Sequence, residues 1–180
     1  MADKPFLSYS IKRNFTASEW RSVNELVRDA IIAYSAVVGD AEGGSALYSE
    51  QNTKAGLRPK KLDPSRRMPI ARKDQVYQEV IRLSSAPDTI GYFWLPRKMA
   101  SFDYESAGKP CRFLALSILK LVDNEFPGSV VWRSCKATAE DWGIASRIVD
   151  SAYGTGPIAA PDIVELDLNI ERPDHMDFRA

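Results

Sequence analysis

Histidine and cysteine are scarce in this chain, and their scarcity excludes whole classes of chemistry. The one histidine, His175, lies in a Pro- and Asp-rich stretch near the C-terminus. A Ser-His-Asp or Cys-His arrangement has to take its general base from there, and a chain terminus supports a base poorly. The two cysteines, Cys111 and Cys135, stand 24 positions apart and form no CxxC pair. A structural zinc site draws about four nitrogen or sulfur ligands, which these three residues cannot supply. The cysteines read as reduced, partly buried thiols of a cytoplasmic protein.

Long apolar runs are missing as well. The longest, FLALSILKLV at 113–122, is half the roughly 20 residues a membrane-spanning helix needs. The opening MADKPFLSYS has no apolar core behind a basic start, so no secretion signal is read there. Phosphate-binding fingerprints are absent too. The glycines of GDAEGGSA follow a helical pattern and lack a Lys-Ser/Thr ending, and GTGP at 154–157 reads as a helix terminator. No cofactor is expected.

Net charge is the last absence: 24 basic and 24 acidic residues cancel. The two signs are nevertheless segregated. Residues 54–73, KAGLRPKKLDPSRRMPIARK, hold eight Lys or Arg and one Asp. From Asp162 onward six acids face two arginines, a net charge of −4.

Periodicity places these segments on elements. Leu7, Tyr9 and Ile11 alternate with Ser8, Ser10 and Lys12, the pattern of a half-buried strand. FTASEW then opens a helix. Thr16 is its N-cap, Glu19 closes a capping box, Phe15 and Trp20 form a hydrophobic staple, and the apolar stripe runs from Trp20 through Val38 to Gly39. The same capping chemistry recurs in TAEDW, where Thr138 and Asp141 open a helix that runs to Gly154. Between 39 and 69, glycines and prolines suggest a long loop. A helix is expected over about 70–84 with Val76, Tyr77, Val80, Ile81 and Leu83 inward, and a buried helix over 111–125. Strands are expected at 89–95, 100–105 and 129–135, the first two joined as a hairpin around PRKM. A final strand carries Val164, Leu166, Leu168 and Ile170 on one face. The pattern predicts a single α+β domain over 1–180, with a mixed or antiparallel sheet of about five strands and about four helices mainly on one face. The basic loop at 39–69 and an acidic tail at 172–180 are its appendages.

Three functional readings follow. In the first, a non-enzymatic binding protein meets a polyanion, nucleic acid foremost, through Arg58, Lys60, Lys61, Arg66, Arg67, Arg72 and Lys73. Such cations neutralise phosphates without regard to sequence. Tyr92 and Trp94, flanked by Arg97 and Lys98, could add an aromatic platform for unpaired bases. In the second, the acidic strand and tail engage a protein partner, as an interaction or inhibitor module. In the third, Asp103, Glu105, Glu165 and Asp167 converge on a divalent metal for phosphodiester cleavage, although neither Pro87-Asp88 nor Pro161-Asp162 is followed by an E-x-K pair.

Overall fold

The computed structural model describes residues 5–39, 46–87, 91–105, 110–154 and 160–163. They form a mixed α+β arrangement of two antiparallel sheets and three helices. Strand β1 (Leu7–Ile11) is the centre of the first sheet, between β7 (Ala100–Tyr104) and β8 (Val130–Cys135). Its side chains alternate between two faces, but all five residues are buried, so the strand is covered on both sides rather than half-buried as expected. Tyr9 packs on Phe93 and Phe102. On the opposite face the Ser8 hydroxyl donates to Asp103 at 2.7 Å, and Ser10 meets Ser101 at 2.7 Å.

Helix α1 (Ala17–Val38) starts at the predicted capping box: the Thr16 hydroxyl accepts from the Glu19 amide while the Glu19 carboxylate accepts from the Thr16 amide. Phe15 and Trp20 close the staple with ring centroids 6.0 Å apart. Helix α3 (Ala139–Tyr153) repeats the device with Thr138 and Asp141 and ends at Gly154, which takes the left-handed conformation at φ 64°. Between them in sequence, α2 (Cys111–Glu125) is the most buried helix: nine of its 15 residues are inside, against seven of 22 in α1. Ser117 bridges α2 to α3 by donating to the Ala145 carbonyl at 3.2 Å, and Trp142 of α3 lies on Trp132 of β8. One continuous cluster of buried apolar side chains joins helices and sheets.

The second sheet departs from expectation. The 39–69 segment contains a β-hairpin, β2 (Tyr48–Thr53) and β3 (Gly56–Lys61). Its polar strand YSEQNT lacks apolar alternation and so gives no strand signal. Gly56, at φ 96°, supplies the left-handed position after the Lys54-Ala55 turn. The expected helix over 70–84 is instead the hairpin of β4 (Ala71–Asp74) and β5 (Gln78–Ser84). Asp74 Oδ1 accepts the amides of Val76 and Tyr77 and turns the chain there. Residues 80–84 are buried on both faces. A strand covered on both sides reads as a continuous apolar run, which periodicity alone cannot separate from a buried helix.

Strand β6 (Phe93–Pro96) pairs with β5, not with β7. The PRKM segment is therefore a crossing between sheets rather than a hairpin loop: Arg97 donates its amide to Glu79 and accepts from Phe15. Order in the second sheet is β3-β2-β5-β4, with β6 on the other side of β5. The expected single sheet of five strands is thus two sheets, and three helices stand among the described residues rather than four. The predicted strand at 164–171 and the tail at 172–180 lie outside the described residues.

Candidate polyanion-binding surface

The β2–β3 hairpin sets out the cations of residues 54–61. The register pairs Ser49 with Lys60, Gln51 with Arg58, Tyr48 with Lys61 and Glu50 with Pro59. Because successive side chains alternate, Arg58 and Lys60 share one face of the ribbon and Lys61 takes the other. All six residues of β3 are exposed. It is an edge strand, with Pro59 in the position where a missing amide hydrogen is tolerated. Lys54 stands at the turn. Among the described residues, none of Lys54, Arg58, Lys60 and Lys61 forms an ion pair.

Arg66 and Arg67 follow on the segment after β3 and are already in part engaged. Arg66 lies 3.5 Å from Asp63, whose carboxylate also accepts the hydroxyl and amide of Ser65. Those Ser65 bonds, with Arg66 beside them, hold the Asp63 carboxyl below its ordinary range. Arg67 reaches Glu25 on α1. Both arginines remain largely exposed, so these pairs contribute little. Lys73 and Lys98 are exposed.

Arg72 has a different position from the one expected. Its side chain is buried on the inner part of the sheet, where its Nε lies 3.4 Å from Glu50 and its Nη1 3.2 Å from Asp74. Glu50 also accepts from Arg82, likewise buried. Burial draws the Arg82 guanidinium down from its ordinary range, and the Glu50 carboxylate works against that. Sequence reading missed both Arg82 and Glu50. The available signal was a cation between Ile81 and Leu83 in an apolar run, which requires a buried counter-charge.

The aromatic platform is closed by the same arginines. The Arg82 guanidinium stands 4.0 Å over the Trp94 ring and 4.5 Å over Tyr92, and Arg72 is 5.8 Å from Trp94. Phe102 stacks on Trp94 at 5.7 Å with planes 13° apart. Tyr92 is only 5% exposed. The backbone of Trp94 is fixed too, accepting from and donating to the hydroxyl of Tyr9; burial pushes that hydroxyl well above the ordinary tyrosine range. Arg97 is engaged by Glu79 at 3.3 Å and donates Nε–H to the Phe15 carbonyl at 3.1 Å. Tyr92 is thus buried, and Trp94 is half-buried against Arg82 and Phe102.

An open concavity of about 480 Å³ lies beside the β4–β5 turn, where Asn52, Lys73, Asp74, Gln78, Glu79 and Arg97 line it with both signs of charge. Of the four carboxylates considered for a metal, two fall among the described residues. Asp103 accepts from Ser8 and lies 3.7 Å from Arg133, Glu105 is exposed, and Glu165, Asp167 and His175 fall outside the described residues. Among the described residues no group of three or more His, Cys, Asp or Glu side chains could hold a metal ion, and no helix is long and apolar enough to cross a membrane. Neither Cys111 nor Cys135 forms a disulfide among the described residues, and burial pushes the Cys135 thiol upward, away from reactivity at neutral pH. The chain matches no protein-family model, no curated protein and no solved structure.

Proposed function

We propose that this protein works by binding a polyanion, nucleic acid first among candidates, through the exposed edge of the β2–β3 ribbon. One observation carries the reading. Lys54, Arg58, Lys60 and Lys61 occupy eight consecutive residues with no acid among them, all exposed and without a carboxylate partner among the described residues. Elsewhere in the same sheet, the buried Arg72 and Arg82 are matched by carboxylates. Four unneutralised charges on a ribbon repel one another, and a polyanion relieves that repulsion while releasing its condensed counterions. Arg66, Arg67 and Lys73 border the ribbon and extend the field. Arg72, Arg97, Tyr92 and Trp94 belong to the protein's own packing and are no part of the contact.

Titration of a fluorescent mixed-sequence oligonucleotide at rising salt tests this. Four phosphate contacts predict that log Kobs falls with log salt at a slope of about −3 to −4. Replacing Arg58, Lys60 and Lys61 with Gln keeps the stems and removes the charges. Binding absent at low salt, or untouched by the triple replacement, contradicts the reading.

A further inference from the structure

We infer that the polyanion is duplex nucleic acid, gripped through its phosphates by entry of the β2–β3 ribbon into a groove, with no selection among base sequences. This rests on the reading that β3 is the contact surface. The first observation is the scarcity of stacking rings on the ribbon among the described residues. Single-strand binders hold successive unpaired bases on aromatic rings. Here Tyr92 and Trp94 lie under the guanidinium of Arg82, β3 carries no aromatic residue, and the ribbon's single ring, the half-buried Tyr48 opposite Lys61, stands at the end away from the turn. A duplex keeps its bases stacked internally and asks for no ring.

The second observation is shape. β3 is six residues long, a span of about 20 Å. A two-stranded ribbon fits the major groove of B-form DNA, about 12 Å wide, and the part open to a groove here is β3 with the 52–55 end of the ribbon, since Ser49, Glu50 and Gln51 of β2 are buried. With Arg58 and Lys60 on one face and Lys61 on the other, the ribbon presents charge to both walls of such a groove. Arg58 and Lys60 are spaced by about 6.8 Å along the strand. β3 carries no Asn or Gln, Gln51 of β2 is buried and the Asn52 carbonyl oxygen already accepts from the Lys73 amide; Arg58 alone is suited to a guanine edge, and the lysine ammoniums contact phosphate as point charges, so positioning contacts outweigh base readout.

The third observation disfavours a peptide or a second copy at this edge. An extended peptide adding as a further strand needs a continuous row of backbone donors and acceptors. Pro59 leaves that row one donor short. Another copy of β3 would set Arg58, Lys60 and Lys61 against themselves, the usual protection of an edge strand against self-pairing.

Fluorescence anisotropy with the intact chain separates the possibilities. The probes are a duplex of about 20 base pairs, two helical turns, a second duplex of scrambled sequence, and one strand of the first alone. Duplex affinity at least tenfold above single-strand affinity, equal for both duplexes, supports the inference. The Arg58→Gln, Lys60→Gln, Lys61→Gln variant should lose about 10²–10³-fold on duplex at 0.1 M salt, since each phosphate neutralised contributes about tenfold there. Equal or tighter single-strand binding, lost in the same variant, overturns the duplex assignment and leaves polyanion binding at β3 standing. A difference between the two duplexes overturns the claim of no sequence selection. Binding to none of the probes overturns both readings, and the wild-type comparison decides this whatever the variant's stability.

Discussion

Arg58 and Arg82 sit on strands of one sheet, separated by β2, and the protein treats them in opposite ways. Arg82 is buried over Trp94 and Tyr92 and bonded to Glu50, whereas Arg58 stands exposed on an edge with no carboxylate partner among the described residues. Desolvating a guanidinium is costly, and a close carboxylate with an aromatic face offsets the cost. Where β2 passes from the interior to the edge, its acid, Glu50, pairs only inward: its carboxylate meets Arg82 and Arg72, while across the ladder it faces Pro59. The acid of the ribbon is thus taken up by the interior, and the outer strand's positive charge has no carboxylate partner among the described residues. The difference teaches that charge density in a sequence is not itself a binding signal. Of the eight cations in 54–73, Arg72 is buried against Glu50 and Asp74, Arg66 and Arg67 are shared with carboxylates, and Lys54, Lys73 and the three of β3 are exposed with no ion pair among the described residues.

This contrast can be broken by substitution, and the largest effect is expected inside. Glu50→Gln leaves two buried guanidinium groups without their common counter-charge, and chemical denaturation should show a loss of about 3–5 kcal/mol. Replacing the whole set (Glu50→Leu, Arg72→Met, Arg82→Met) should recover most of it, because a buried ion cluster seldom outweighs a well-packed apolar one. If Glu50→Gln is neutral, the cluster is not the anchor of this sheet. Trp94→Ala removes the ring between Arg82 and Phe102 and should cost about 3 kcal/mol. A loss of nucleic-acid affinity in that variant at unchanged stability would show that the indole does meet a ligand.

The intermediate case, the turn at Asp63, sharpens the comparison through pH. The folded-state pKa of Asp63 lies below its ordinary 3.8. Its contribution to stability is therefore complete above pH 3.8 and fades as pH falls through the depressed value. Asp63→Asn should remove this dependence: the variant is slightly less stable than wild type near neutrality, where the charged carboxylate contributes, and the difference closes as pH falls below about 4. Last, Arg58→Gln should alter stability by no more than about 0.5 kcal/mol, as for an exposed position without a partner. A larger loss would place Arg58 among the structural arginines.

How far this was legible in sequence differs by element. The capping boxes at Thr16 and Thr138, α2 and the strands flanking the first sheet follow from local chemistry, since caps and half-buried alternation are written in adjacent residues. The second sheet was hidden for two opposite reasons. β2 and β3 are too polar to show a buried face, and β5 is buried on both faces and so loses its period. The destination of Arg72 could not be read locally, because its partner Glu50 lies 22 positions away and is brought near only by β2 pairing next to β4 on the same edge of β5. The basic segment itself was visible, but not which of its charges face outward.

The most direct measurement holds net charge fixed and moves only the position of the loss. Arg58→Gln, Lys60→Gln, Lys61→Gln and the off-ribbon set Lys12→Gln, Arg21→Gln, Arg147→Gln each take the formal charge from zero to −3 by removing three exposed cations. If β3 is the contact surface, the first set abolishes duplex binding at 0.1 M salt and the second leaves affinity within a few-fold of wild type. Equal losses in the two sets would mean that total charge, not the ribbon, governs the attraction, and no loss in the first would remove β3 from the interface.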